Sequence, residues 1–187
     1  MFKIVEFSHF LITEYIKNSS LDTIRVLDAT CGNGHDTLFI SKLLNNKGII
    51  HAYDIQKQAI NHTLELLKKE NITNVTLFHQ SHEYIDPALY DLAIFNLGYL
   101  PNANKEITTN HESTLKAVKL LTNEVLNNPN LLIIICIYPG HPEGLLESKY
   151  LDEYTKELNS SKYLVTKYLN YNRPTSPYII TISKNKR

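Results

Sequence analysis

Apolar residues in this chain fall into blocks separated by polar turns, and the spacing within each block predicts an alternation of helices and strands. Ile4, Phe7, Leu11 and Tyr15 recur at helical spacing, so residues 1–20 predict an amphipathic N-terminal helix packed on the sheet. The run from Val26 predicts a strand that turns through Gly32 and Gly34 into a helix over about Gly34 to Leu44. Gly48 to Asp54 predicts a second strand. Ile60, Leu64 and Leu67 give the next helix one apolar face, and Val75 to Phe78 predicts a short third strand. Tyr90 to Phe95 is almost continuously apolar, as a parallel strand buried on both faces is. Leu115, Val118, Leu121 and Val125 predict a helix, Leu131 to Ile137 another central strand, and Leu151, Tyr154 and Leu158 a further helix. The last two runs, Tyr163 to Leu169 and Tyr178 to Ile182, have no helix between them and pair most simply as antiparallel neighbours. Five β-α units closed by an antiparallel pair argue for a doubly wound, Rossmann-like α/β fold.

Length and composition narrow this only a little. The 187 residues suit one domain, residues 1–187, and 43% hydrophobic with 20% charged residues is ordinary for a globular protein. The formal net charge is zero, so the whole-protein field announces no polyanionic partner, although a local basic patch can still bind one. Cys31 and Cys136 lie far apart and form no C-x-x-C, which points to reduced thiols. The N-terminal segment mixes acidic and polar residues with its apolar ones, unlike a secretory signal. No apolar run reaches the length of a membrane span, and the expected location is the cytoplasm.

The candidate chemistry gathers at the first strand-turn-helix, Val26 to Asp36. Glycines let a backbone approach a ligand closely, and a helix N-terminus offers unpaired N–H groups. Asp54, at the end of the next strand, stands where nucleotide-binding folds place the acid that holds ribose hydroxyls. Gly32-Asn33-Gly34 is followed by Thr37 where a dinucleotide fingerprint has its third glycine, which disfavours NAD, and no Lys-Ser/Thr pair makes a P-loop. Asp28 before the turn suits a ligand bearing an α-amino group. With Asp54 the pattern D-x-x-x-G-x-G resembles the cofactor motifs of class I S-adenosylmethionine-dependent methyltransferases. That resemblance implies the strand order 3-2-1-4-5-7-6 with the last strand antiparallel.

Asn96-Leu97-Gly98-Tyr99 ends a central strand, where the same enzymes carry an N-P-P-Y type loop. An Asn side-chain oxygen can accept an N–H from an amine and so aim the nitrogen lone pair. Asn96 and Tyr99 are therefore the candidate catalytic residues, Tyr99 stacking on a base or closing the pocket. Asn33, Asp36, Gln56, Ser81 and His82 join Asp28, Gly32, Gly34 and Asp54 as candidate cofactor contacts. Tyr138 and His141, after the fifth strand, can hold substrate, and His141 can accept an amine proton. Lys105 and Arg173 can meet phosphates. His9, within the first helix, is expected to pack rather than to act. His79, His82 and Glu83 do not make a zinc motif, and no metal is expected.

Four segments, Asp28 to Thr37, Asn96 to Pro101, Ile107 to Thr114 and Tyr138 to Gly144, resemble the YtqB-type rRNA methylase family with its MnmM-like tRNA methyltransferase branch. The resemblance implies methylation of 5-aminomethyl-2-thiouridine to 5-methylaminomethyl-2-thiouridine at the tRNA wobble position. S-adenosylmethionine would be the cofactor and the anticodon stem-loop the partner, with a homodimer left open. Here the loop before the final strand, Asn172 to Pro177, is longer than the family's N-x-P-P. A methyltransferase acting on ribosomal RNA or a small amine, and a non-enzymatic cofactor- or RNA-binding module, remain as alternatives.

Overall fold

In the computed structural model the described residues are 3–45, 47–98, 109–173 and 175–186. Along the chain they form α1 (Ile4–Asn18), β1 (Ile24–Asp28), α2 (His35–Leu44), β2 (Gly48–Asp54), α3 (Lys57–Lys69) and β3 (Val75–His79). Then come β4 (Leu92–Asn96), α4 (His111–Glu124), β5 (Leu132–Ile137), α5 (Pro142–Lys156), β6 (Tyr163–Tyr168) and β7 (Tyr178–Lys184). Two single turns of 3-10 helix, His82–Tyr84 and Pro87–Leu89, bridge β3 to β4.

The seven strands make one sheet in the order β3-β2-β1-β4-β5-β7-β6. β1 to β5 run parallel, and β7 is antiparallel to both β5 and β6. Because side chains alternate along a strand, each central strand feeds two cores. Leu92 and Ile94 of β4 pack with Ile12, Ile40 and Ile60 on the side of α1, α2 and α3. Ala93 and Phe95 pack with Val118, Leu121 and Leu151 on the side of α4 and α5.

The expected order of elements is the observed one, with local differences. Leu64 is 41% exposed, and the buried stripe of α3 runs through Ala59, Ile60, Thr63 and Leu67. Thr63 is buried there because its hydroxyl donates to the Gly32 carbonyl at 2.9 Å, a polar contact that an apolar periodicity cannot register. β4 starts at Leu92, after Tyr90, because Asp91 receives the backbone N–H and the guanidinium of Arg25. In α1 the most buried positions are Ile4, Ser8 and Ile12, with Phe7, Leu11 and Tyr15 flanking them.

In a parallel doubly wound sheet all the strand-to-helix loops leave from one edge. The loops after β1, β2, β3, β4 and β5 therefore meet, and the site is built there.

Candidate functional site

Those loops enclose a cavity of about 1140 Å³. Residues 29–33 after β1, 54–56 after β2, 81–83 after β3, 96–98 after β4 and Tyr138, Gly140 and His141 after β5 all contribute to its lining.

The glycine turn is held from beneath. Asp28 is 2% exposed and does not line the cavity. One of its oxygens takes the Thr37 hydroxyl at 2.5 Å and the other the Thr30 N–H at 3.3 Å. Burial pushes its carboxyl up to about 7, against the pull of those two bonds. Asp28 thus braces the turn, and Thr37, in the place of a third glycine, is its partner. Gly34 is also outside the lining: its φ of +79° begins α2, and a Cβ there would lie 2.8 Å from the Thr63 hydroxyl. Gly32, Asn33 and Asp36 do line the cavity.

Asp54 is tied into the same turn. Its carboxylate accepts the Gly32 N–H at 3.0 Å and the Gln56 N–H at 2.8 Å, so each oxygen is oriented and keeps a further lone pair. Burial raises its pKa, and the two backbone N–H groups oppose that shift. Ile55, 52% exposed, and Gln56 line the cavity beside it.

Across the cavity, His82 is 7% exposed, and its Nδ1 lies 3.0 Å from the Ala29 carbonyl. A carbonyl only accepts, so Nδ1 carries the proton. Burial lowers the pKa of this ring, which keeps it neutral. His82 therefore braces the β1 loop while lining the cavity, with Ser81 and Glu83 beside it.

Asn96 brings the chemistry into focus. Its backbone N–H donates to the Thr30 hydroxyl at 2.8 Å. Its side-chain Nδ2 donates to Asp36 Oδ2, and Asp36 Oδ1 is 2.6 Å from His9 Nε2. Both oxygens of Asp36 are thus engaged by protein. Asn96 Oδ1 is buried and has no hydrogen-bond partner among the described residues, in a side chain that lines the cavity. The sequence predicts only packing for His9. Its ring does stack on Phe39, with 4.0 Å between centroids, but its Nε2 also reaches the site.

After β5, Tyr138 and His141 line the cavity as expected. Burial raises the Tyr138 pKa, so it stays a neutral hydroxyl. His141 caps α5: its Nδ1 accepts the Gly144 N–H at 3.1 Å. In the neutral ring the proton then sits on Nε2, which makes His141 a donor rather than the expected acceptor of an amine proton. Arg173 is exposed on the β6–β7 loop and does not line the cavity, whereas its neighbours Thr175 and Pro177 do. Tyr99 and Lys105 lie outside the described residues. Thr109 accepts the Gly98 N–H at 3.0 Å and donates its hydroxyl to Glu147 at 2.8 Å. Asn110 and Ser113, inside the segment Ile107 to Thr114 that carries the family resemblance, and Lys116 further along α4 also line the cavity, and sequence reasoning assigns none of them a role. Among the described residues no cluster of three or more His, Cys, Asp or Glu is placed to hold a metal ion.

Comparison with known proteins gives this arrangement its context. The protein-family model described as "Putative rRNA methylase" matches residues 50–184. A chloroplastic tRNA (mnm(5)s(2)U34)-methyltransferase of Arabidopsis thaliana is 35% identical over 98% of this chain and 70% of its own length. A "putative rRNA-methylase" from Clostridium thermocellum is 31% identical, with a TM-score of 0.85 over 99% of this chain and 100% of its own. A "putative methyltransferase" from Streptococcus mutans, solved in complex with SAH, is 30% identical, with a TM-score of 0.80 over 99% of both chains.

Proposed function

This chain belongs to the family described as "Putative rRNA methylase", and from that premise we propose that it methylates the amine of 5-aminomethyl-2-thiouridine at position 34 of tRNA, the reaction named for its Arabidopsis relative. It is a methyltransferase, and its cofactor is S-adenosylmethionine. The cavity suits that cofactor. A ribose offers two hydroxyl donors, and Asp54 offers two oriented oxygens with lone pairs to spare. Ile55 supplies apolar surface next to them for the base, and the backbone of Thr30 to Asn33 borders the space left for the amino-acid end. When bound, the cofactor supplies a methyl group made electrophilic by its sulfonium.

The observation that carries the proposal is the oxygen of Asn96. A buried carbonyl oxygen left unpaired costs about 1–3 kcal/mol, and a substrate N–H placed against Oδ1 removes that penalty. Methyl transfer to nitrogen needs a neutral amine whose lone pair points at the methyl carbon. Asn96 Oδ1 holds one N–H and so fixes the direction of the lone pair, which is how orientation becomes rate. Tyr138 and His141 also line the cavity and serve as hydroxyl and N–H donors for the uracil edge. The anticodon stem-loop is the proposed partner.

Replacing Asn96 by Ala separates binding from chemistry. We expect unchanged SAH affinity and a methyl-transfer rate lower by about a hundredfold. Equal loss of cofactor affinity would move Asn96 into the cofactor site and remove the proposal's main support.

A further inference from the structure

We infer that His9 and Asp36 are positioning residues that fix which atom of the Asn96 amide meets the substrate amine. This rests on the role proposed for Asn96 in methyl transfer. A side-chain amide can present either its oxygen or its NH2, because the two ends have nearly the same shape, and only the neighbours decide. Here the neighbour is Asp36, and a carboxylate can only accept. Asn96 must therefore turn Nδ2 toward Asp36, and Oδ1 is the atom left without a partner among the described residues.

Asp36 is in turn held. It starts on the first turn of α2, where a carboxylate is favoured by the helix dipole, but its rotamer is set from outside that helix. His9 of α1 reaches Asp36 Oδ1 at 2.6 Å, and its ring is clamped by stacking on Phe39. Two donors, His9 and Asn96, thus occupy the two oxygens of one carboxylate. Asp36 is thus held by side chains of two other elements, whereas the oxygens of Asp54 are held by backbone N–H groups of its own and the neighbouring loop. The side chain of His9 is 29% and that of Asp36 22% exposed, so the pair is shielded but still reached by solvent. Through this chain of contacts the N-terminal helix becomes part of the site.

The test uses the full-length protein with three variants. Asp36→Asn lets the amide pair turn either way. His9→Phe keeps the stack on Phe39 and removes the donor. His9→Gln keeps a donor at similar reach. Each is measured for SAH affinity by calorimetry, for single-turnover methyl transfer to tRNA carrying 5-aminomethyl-2-thiouridine, and for the side-chain NH2 resonances of Asn96 in 15N-labelled protein. A hydrogen bond to a carboxylate biases the amide by about ten- to a hundredfold. With that bias lost the two orientations become comparable, or are reversed by one neutral hydrogen bond, so the rate in Asp36→Asn should fall about two- to tenfold, with SAH affinity kept to within about threefold of the wild type. His9→Phe should lose rate and His9→Gln should recover most of it. The wild-type Asn96 NH2 should show one proton far downfield, moved back in Asp36→Asn.

A rate unaffected in both Asp36→Asn and His9→Phe would overturn the inference. So would SAH affinity falling in step with the rate, which would make Asp36 a cofactor contact. Full rate in His9→Phe, which keeps the stack and lacks the donor, would reduce His9 to packing. If the wild type transfers no methyl group to this tRNA, it is the substrate proposal that fails, and the Asn96 resonances still decide the positioning role.

Discussion

Replacing Asp54 by Ala removes a cavity side chain whose two oxygens are each preset by a backbone N–H. Two ribose hydroxyls donating to a carboxylate make two charge-assisted hydrogen bonds, each about 1.5–3 kcal/mol. Losing both costs about 3–6 kcal/mol, or roughly a hundred- to ten-thousandfold in affinity. The protein itself should lose much less. The Gly32 and Gln56 N–H groups border the cavity, so water can replace their lost acceptor. Calorimetric titration with SAH reads the affinity, and a urea transition on the same samples confirms the fold. A folded Asp54→Ala protein that binds SAH within about threefold of the wild type would refute the reasoning, because the proposed ribose contact would then contribute almost nothing.

Other consequences arise from the turn and from the buried acids. Gly34→Ala forces a side chain into a φ of +79° with its Cβ 2.8 Å from the Thr63 hydroxyl and 3.1 Å from the Thr63 Cα. A loss of about 2–4 kcal/mol in urea unfolding is expected, and a loss under about 0.5 kcal/mol would show that α3 gives way easily. Glu147, 1% exposed, is pushed by burial up to about 7 from 4.5, despite the Thr109 and Thr114 hydroxyls that donate to it. The folded state therefore keeps this proton where the unfolded chain has released it. Stability falls as pH rises between about 4.5 and 7, by about 3 kcal/mol at most from this group. Urea midpoints at about pH 4 and about pH 8, either side of that window, should differ less in Glu147→Gln than in the wild type. An unchanged difference would show that Glu147 ionises normally.

The fold is legible in the sequence because its signals are long and periodic. The continuous apolar run through β4 and the one through β5 read as two-sided strands, and the two-core packing of Ala93 and Ile94 is the structural meaning of that continuity. The site is legible in part. A glycine turn and an acid one strand later are local patterns, and Gly32 and Asp54 do meet. What a motif cannot show is the direction in which a side chain points. Asp28 and Asp36 flank the same turn in sequence, yet one is buried beneath it against Thr37 and the other turns to Asn96 and His9. His9 lies 27 residues before Asp36 in the chain, so no spacing could have joined them. His141 is the right residue type in the right loop, but its part in capping α5 depends on Gly144 three residues on, and that bond reverses its polarity.

The most direct test of the central claim is nucleoside mass spectrometry of tRNA that carries 5-aminomethyl-2-thiouridine, incubated with the purified protein and S-adenosylmethionine. The expected result is loss of that nucleoside with matching appearance of 5-methylaminomethyl-2-thiouridine, abolished in Asp54→Ala. An unchanged nucleoside profile from protein that binds SAH normally would contradict the claim and direct the search to ribosomal RNA or to small amines.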